Sequence, residues 1–169
     1  MDPAYFGTEL NRSEGSCVGT VLVARNTVEY EEDFYLWTVE QARLLRSGEL
    51  SAIDAANIAE EIESMGRSDR RELKSRLIVL LAHLLKWRHQ PEARSRSWSS
   101  TIREQRQQIE LVLEDSPSLR STIAQILDQT YDIARERAAE ETGLAEATFP
   151  DACPFTPDEL LSRGFLPER

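Results

Sequence analysis

Only two cysteines, Cys17 and Cys153, occur in the 169 residues. Thiols so far apart form no disulfide framework and suit a reducing cytoplasm, with a single Cys17–Cys153 bridge as the lesser alternative. Histidine is as scarce: with only His83 and His89, a histidine-rich metal site cannot be built. There is no Cys-x-x-Cys pair, no His-Glu-x-x-His helix, no glycine-rich phosphate loop and no Gly-x-Ser-x-Gly elbow. These absences remove the common metal, nucleotide and acyl-transfer signatures, and no metal or cofactor is expected. Long apolar runs are missing too. The longest, Leu77 to Leu85, falls far short of the roughly 18 residues that span a bilayer, so no membrane association is expected. The stretch Val18 to Ala24 comes after Glu9 and Glu14 and lacks a cleavage site, which argues against a signal peptide. No internal repeat, low-complexity segment or convincing strand is visible in the body of the chain.

What is present is an ordinary globular composition, 40% hydrophobic and 30% charged, in a length that fits one domain plus a tail or two. A chain of this size folds without disulfides or metals. The net charge of −10 is unevenly placed. Between Arg67 and Arg106 eleven Lys/Arg meet four acids, a local +7, against −17 for the remainder. Such asymmetry can mark a basic binding face. The preferred reading is that the basic middle packs against the protein's own acidic helices, and that nucleic acid, repelled by the whole chain at long range, is not the partner.

Residues 1–30 lack helical periodicity and contain Gly7, Gly15 and Gly19. They read as a loose N-terminal arm with a short extended piece at Val18–Val23. Residues 31–169 read as a single all-α domain, a bundle of about five main helices around a central hydrophobic one, with a short C-terminal helix. The pattern predicts a first helix over 31–47, with Phe34, Trp37, Leu44 and Leu45 on one face and Gly48 as its stop. Ser51-Ala-Ile-Asp54 reads as a capping box opening a second helix that ends at Gly66, with a stripe of Ile58, Ile62 and Met65. Ser68 opens a third, to His89, closed by Pro91. Its segment Leu77–Leu85 is apolar almost all round and therefore belongs at the centre. A fourth helix starts between Ser97 and Thr101 and ends near Asp115. A fifth begins after Ser116-Pro117 and runs to Thr142, stopped by Gly143; its stripe is Leu119, Ile123, Ile126, Thr130, Ile133 and Ala134. Thr156-Pro-Asp-Glu159 is a second capping box, and Phe149, Phe155, Phe165 and Leu166 predict a tail folded back on the bundle.

The residues that could carry chemistry are polar ones at positions where helix geometry predicts burial. At about 100° per residue, Glu61 falls beside the Ile58–Ile62–Met65 stripe, with Asn57 further round. His83 sits inside the central apolar run. Gln105 falls within the stripe of Trp98, Ile102, Ile109 and Leu113, with Arg106 at its edge. A buried polar group needs a partner, so Glu61, His83, Gln105 and Arg106 are candidates for one internal network. Read as a site, His83 is acid or base, Glu61 orients it, and Arg106 holds an anion; Asn57, Gln105, Arg106 and Trp98 are the ligand-binding candidates. Read as structure, and this is the preferred reading, the same residues fix helix register. His89, at a helix end where a cation is favoured, reads as a surface residue. Trp98 among arginines could stack on a base but reads better as a core anchor. The run Glu60-Glu61-Ile-Glu63 lacks the histidines of a carboxylate metal site.

The order of motifs resembles a known family. It comprises Tyr30-Glu-Glu-Asp-Phe-Tyr-Leu-Trp37, Ala59-Glu-Glu-Ile-Glu-Ser-Met-Gly-Arg67, Leu81-Ala-His-Leu-Leu-Lys-Trp87, Arg96-Ser-Trp98, Ile102-Arg-Glu-Gln-Arg106, Phe149-Pro-Asp-Ala-Cys-Pro154 and Phe165-Leu-Pro167. Over residues 30–167 this is similar to the bacterial family labelled domain of unknown function twenty-nine. The resemblance implies an all-helical fold and no particular activity. Glu61, His83, Trp87, Trp98, Gln105 and Arg106 lie within the matching motifs. The expectation placed first is a non-catalytic interaction or regulatory protein that binds another protein or itself, in the cytoplasm. An enzyme or small-ligand binder using Glu61, His83, Gln105 and Arg106 comes second. Nucleic-acid binding through 67–106 comes third.

Overall fold

Capping residues decide where the helices start. In the computed structural model, which describes residues 29–168, Asp33 caps helix α1 (Phe34–Ser47) by accepting from the Leu36 N–H at 3.0 Å. Gly48 closes it at φ 75°, and Glu49 N–H returns to Leu44 O at 3.0 Å, the left-handed C-terminal turn in which glycine avoids a Cβ clash. The extended piece at 18–23, most of the arm at 1–30 and Cys17 lie outside the described residues. Contacts divide the chain into two compact units, Met1–Ile53 and Asp54–Arg169, and each is described by itself.

In the first unit Trp37, Gln41 and Leu44 are buried. Tyr30 lies edge-on to Phe34 and Trp37, with ring centroids 5.7 and 4.9 Å apart. The predicted face holds only in part: Phe34 and Leu45 are 50% and 45% exposed. A short 3-10 turn, Leu50–Ala52, ends the unit.

The second unit departs from the sequence reading at its first helix. Helix α2 runs unbroken from Ala55 to His89. Ser51 does not cap it; Asp54 does, accepting from the Asn57 N–H at 3.2 Å. Neither Gly66 nor Ser68 interrupts it. A glycine stops a helix by entering the left-handed region, and only Gly48 and Gly143 do so among the described residues. Gly66 is instead succeeded by Arg, Ser, Asp, Arg and Arg, and the Glu63–Arg67 ion pair (3.2 Å) spans it at i,i+4.

The two halves of α2 differ. From Ala55 to Glu72 no residue is buried. From Leu73 onward Leu73, Leu77, Leu80, Leu81, Leu84 and Leu85 are fully buried, each stabilising the fold by about 1.5–3 kcal/mol through burial. Helix α3 (Arg96–Asp115), capped by Ser95 rather than by a later residue, packs antiparallel to this half. Helix α4 (Ile123–Thr142) packs on it in parallel: Asp69 of α2 accepts from Ser116, just before α4, and Lys86 pairs with Glu141. Ser116-Pro117 opens a 3-10 turn, Pro117–Thr122, before α4, and Gly143 ends α4 at φ 71°.

The tail folds back as expected. Phe149, Phe155 and Leu160 join the core, Phe165 packs against it, and Leu166 stays 39% exposed. Thr156 and Glu159 form the capping box of the five-residue helix α5 (Pro157–Leu161). Tyr131 Oη donates to Pro150 O at 2.7 Å, and Arg135 pairs with Glu146 and Asp151. Among the described residues there is no strand, and no helix is long and apolar enough to cross a membrane.

Candidate functional site

The continuity of α2 scatters the four polar candidates. Glu61 and His83 lie 22 residues apart on one continuous helix, about 33 Å at 1.5 Å per residue, and do not share a site within one chain. Glu61 is half-buried on the half of α2 that carries no buried residue. Asn57 donates through Nδ2 to Asp54 at 2.7 Å and serves the cap.

His83 occupies the buried half of α2. Its Nδ1–H donates to Val79 O at 2.9 Å, which leaves the Nε2 lone pair as an acceptor. Burial lowers its pKa; Lys86 and Arg137 push the same way, against the Val79 bond and Glu141. One turn on, Lys86 is buried. Its Nζ lies 2.5 Å from Glu141 Oε2 and 4.5 Å from the centre of the Trp98 ring. Arg137 Nε donates to the other Glu141 oxygen at 2.8 Å. Burial raises the Glu141 pKa, but the bonds from Arg137 and Lys86 outweigh it and hold the carboxylate ionised. This cluster joins α2, α3 and α4 at one end of the bundle. Lys86 spends its charge on a carboxylate and an aromatic face, which fixes helix positions and leaves no free nucleophile.

Lys86 and Glu141 are not among the candidates that helix geometry suggests. The sequence does carry a signal for them. Lys86 comes directly after an apolar run, and the positions one turn to either side of it, 82, 83, 89 and the C-cap 90, hold Ala, His, His and Gln. Its counter-charge therefore has to come from another helix. Trp98 is half-buried against Lys86, an anchoring role.

Gln105 and Arg106 are buried as the stripe required, but they do not join His83. Gln105 Oε1 has no hydrogen-bond partner among the described residues. Arg106 donates from Nε to Leu160 O at 2.8 Å, and from its terminal nitrogens to the carbonyls of Glu159 and Arg163 at 3.4 and 3.5 Å. It is a cation at the C-terminal end of α5, where the exposed carbonyls favour one. Arg103, Gln107, Glu110 and Arg163 line a cavity of about 360 Å³ beside it, in which Arg163 pairs with Glu110 at 2.6 Å. His89 departs from expectation. It is half-buried, edge-on to Phe149 with centroids 5.1 Å apart, and burial lowers its pKa, with Arg88 adding to the effect. Packing on the folded-back tail outweighs the helix-end preference for a cation.

The basic middle is not neutralised by the acidic helices. Of its eleven cations only Arg67, Arg76 and Lys86 form ion pairs among the described residues, and only the Lys86 pair reaches another helix. Among the described residues, no group of three or more His, Cys, Asp and Glu is placed to hold a metal.

Among the described residues the fold is all-helical, and its polar candidates are spread over three regions of a helical bundle. The chain belongs to the family described as domain of unknown function DUF29, which it matches over residues 29–166. No curated protein and no solved structure matches it.

Proposed function

We propose that this is a non-catalytic helical interaction protein that binds another protein or a second copy of itself through the first half of α2. The observation that carries the reading is the exposure of Ile62 and Met65, 64% and 69%, on the stripe predicted to be buried with Ile58. A helix does not gain from apolar side chains on a solvated face. A single one, such as Ile133 on α4, is ordinary, whereas Ile62 and Met65 are neighbours one turn apart on the same face of α2 and together form a small apolar patch of the kind that marks a contact site. The rival reading, an enzyme built from Glu61, His83, Gln105 and Arg106, loses support from their separation. A bacterial, cytoplasmic setting is proposed with it, on the family resemblance and on the low cysteine content. The test is sedimentation of the full chain over a wide concentration range, with and without a fraction enriched for a bound partner, for the natural protein and for Ile62→Glu with Met65→Glu. The substituted protein is expected to keep its helix content and lose association. Association unchanged by both substitutions contradicts the proposal.

A further inference from the structure

A second feature of α2 is independent of the exposed apolar stripe. Arg67, Arg70, Arg71 and Lys74 have the spacing i, i+3, i+4, i+7, which places four cations on one helix face over about 10 Å of axis. They line a groove of about 260 Å³, completed by Ile126 and Gln129 of α4. No carboxylate lines it. Arg67 is paired with Glu63, whereas Arg70, Arg71 and Lys74 make no hydrogen bond or ion pair among the described residues. Like charges three and four residues apart repel. The nearby acids are committed elsewhere, Asp69 to Ser116 and Glu72 to Arg76. In a chain of net charge −10, this is a local concentration of positive charge that the protein leaves uncompensated.

We infer that this groove binds a compact oligophosphate, two or three linked phosphate groups, free or carried by a nucleotide. Two arginine forks and a lysine suit phosphate oxygens, the forks by paired N–H donation and the ammonium as a point charge. The Gln129 amide offers a further donor, and the buried Ile126 gives the groove a dry wall. The four cations extend over about 10 Å of helix axis, a longer span than a single phosphate group covers. Length decides against a long nucleic acid. A polyanion longer than the stripe must lie against the rest of the chain, which carries the net negative charge, while a compact anion stays within the basic stripe. No aromatic side chain lines the groove to stack a base.

The test is calorimetric titration of the full chain with inorganic tripolyphosphate, orthophosphate, ATP and a single-stranded oligonucleotide. One tripolyphosphate site is expected. Orthophosphate should bind at least about tenfold more weakly, and affinity should fall steeply as salt rises from ~50 to ~200 mM. Arg70→Gln with Arg71→Gln should weaken tripolyphosphate by about tenfold or more, and Arg96→Gln, outside the groove, should leave it unchanged. The substituted side chains are exposed, so the melting temperature in phosphate-free buffer should hold or rise as repulsion is relieved; Lys74→Gln provides an independent second variant. ATP and tripolyphosphate binding equally identifies the phosphate chain as sufficient, and ATP binding more than tenfold tighter identifies a nucleotide as the source. Absence of tripolyphosphate binding at ~1 mM, the concentration that marks about −4 kcal/mol, overturns the inference. So does binding indifferent to the Arg70 and Arg71 substitutions, and so does an oligonucleotide that outcompetes tripolyphosphate at the same residues.

Discussion

Replacing Gly66 by alanine should stabilise the protein. Glycine inside a helix costs about 0.8–1.0 kcal/mol relative to alanine, because its unfolded chain has more backbone freedom to lose. Gly66 lies in the interior of α2, without a positive φ, and a Cβ built there meets nothing within 4 Å. The substitution therefore introduces neither strain nor clash, and it forms no new packing. The gain is the backbone component alone, about 1 kcal/mol, worth about 2–4 °C in melting temperature for a protein of this size. Gly48→Ala and Gly143→Ala are the counterparts. At φ 75° and 71° they force a Cβ into the left-handed region and should each cost about 1–2 kcal/mol. Urea denaturation with the slope held constant reads all three. If Gly66→Ala destabilises as the other two do, Gly66 is a helix stop, α2 is two helices, and the distance that separates Glu61 from His83 no longer holds.

Leu81→Ala removes a fully buried side chain from the centre of the bundle and should cost about 2–5 kcal/mol, measured in the same denaturation; a loss under about 1 kcal/mol would show the helix to be peripheral. His83→Ala should cost roughly 1–3 kcal/mol through the lost Val79 bond and lost packing, and an unchanged melting temperature would contradict its structural assignment. Stability should fall as pH drops below about 6.5. Both His83 and His89 have lowered pKa values in the folded state, so the unfolded chain binds more protons there; the stabilisation is complete above the unfolded value and is lost as pH falls toward the folded one. Comparing His83→Gln and His89→Gln with the natural protein isolates this from the relief of net negative charge, and equal pH slopes in all three would refute it.

Most of the fold is legible in the sequence because its signals are local. The Thr156–Glu159 box, Gly143, Pro91 and the apolar run at Leu77–Leu85 each act within a turn or two of themselves, and each does in the structure what its chemistry requires. Gly66 misleads because a helix stop depends on backbone conformation and on the residues C-terminal to the glycine. After Gly143 comes Leu144, which packs on the core, whereas after Gly66 comes a charged run that prefers to stay helical. The candidate site is less legible because its partners are distant. Lys86 finds Glu141 55 residues away and Arg106 finds Leu160 54 residues away. A helical wheel shows which side chains face inward and gives no information on what they face. It places Gln105 and Arg106 inside correctly, while the convergence of four helix positions on one point is a further assumption that an unbroken α2 defeats.

The central claim is that the first half of α2 is a contact surface. Photo-crosslinking in cells tests it directly, with a benzophenone side chain placed at position 62 or 65 and, as a control, at 133, where Ile133 is exposed on α4. One discrete adduct is expected from positions 62 and 65, either a second copy of the chain or a single other protein, and none from 133. Absence of an adduct at both α2 positions, or the same diffuse set of adducts at all three, would contradict it.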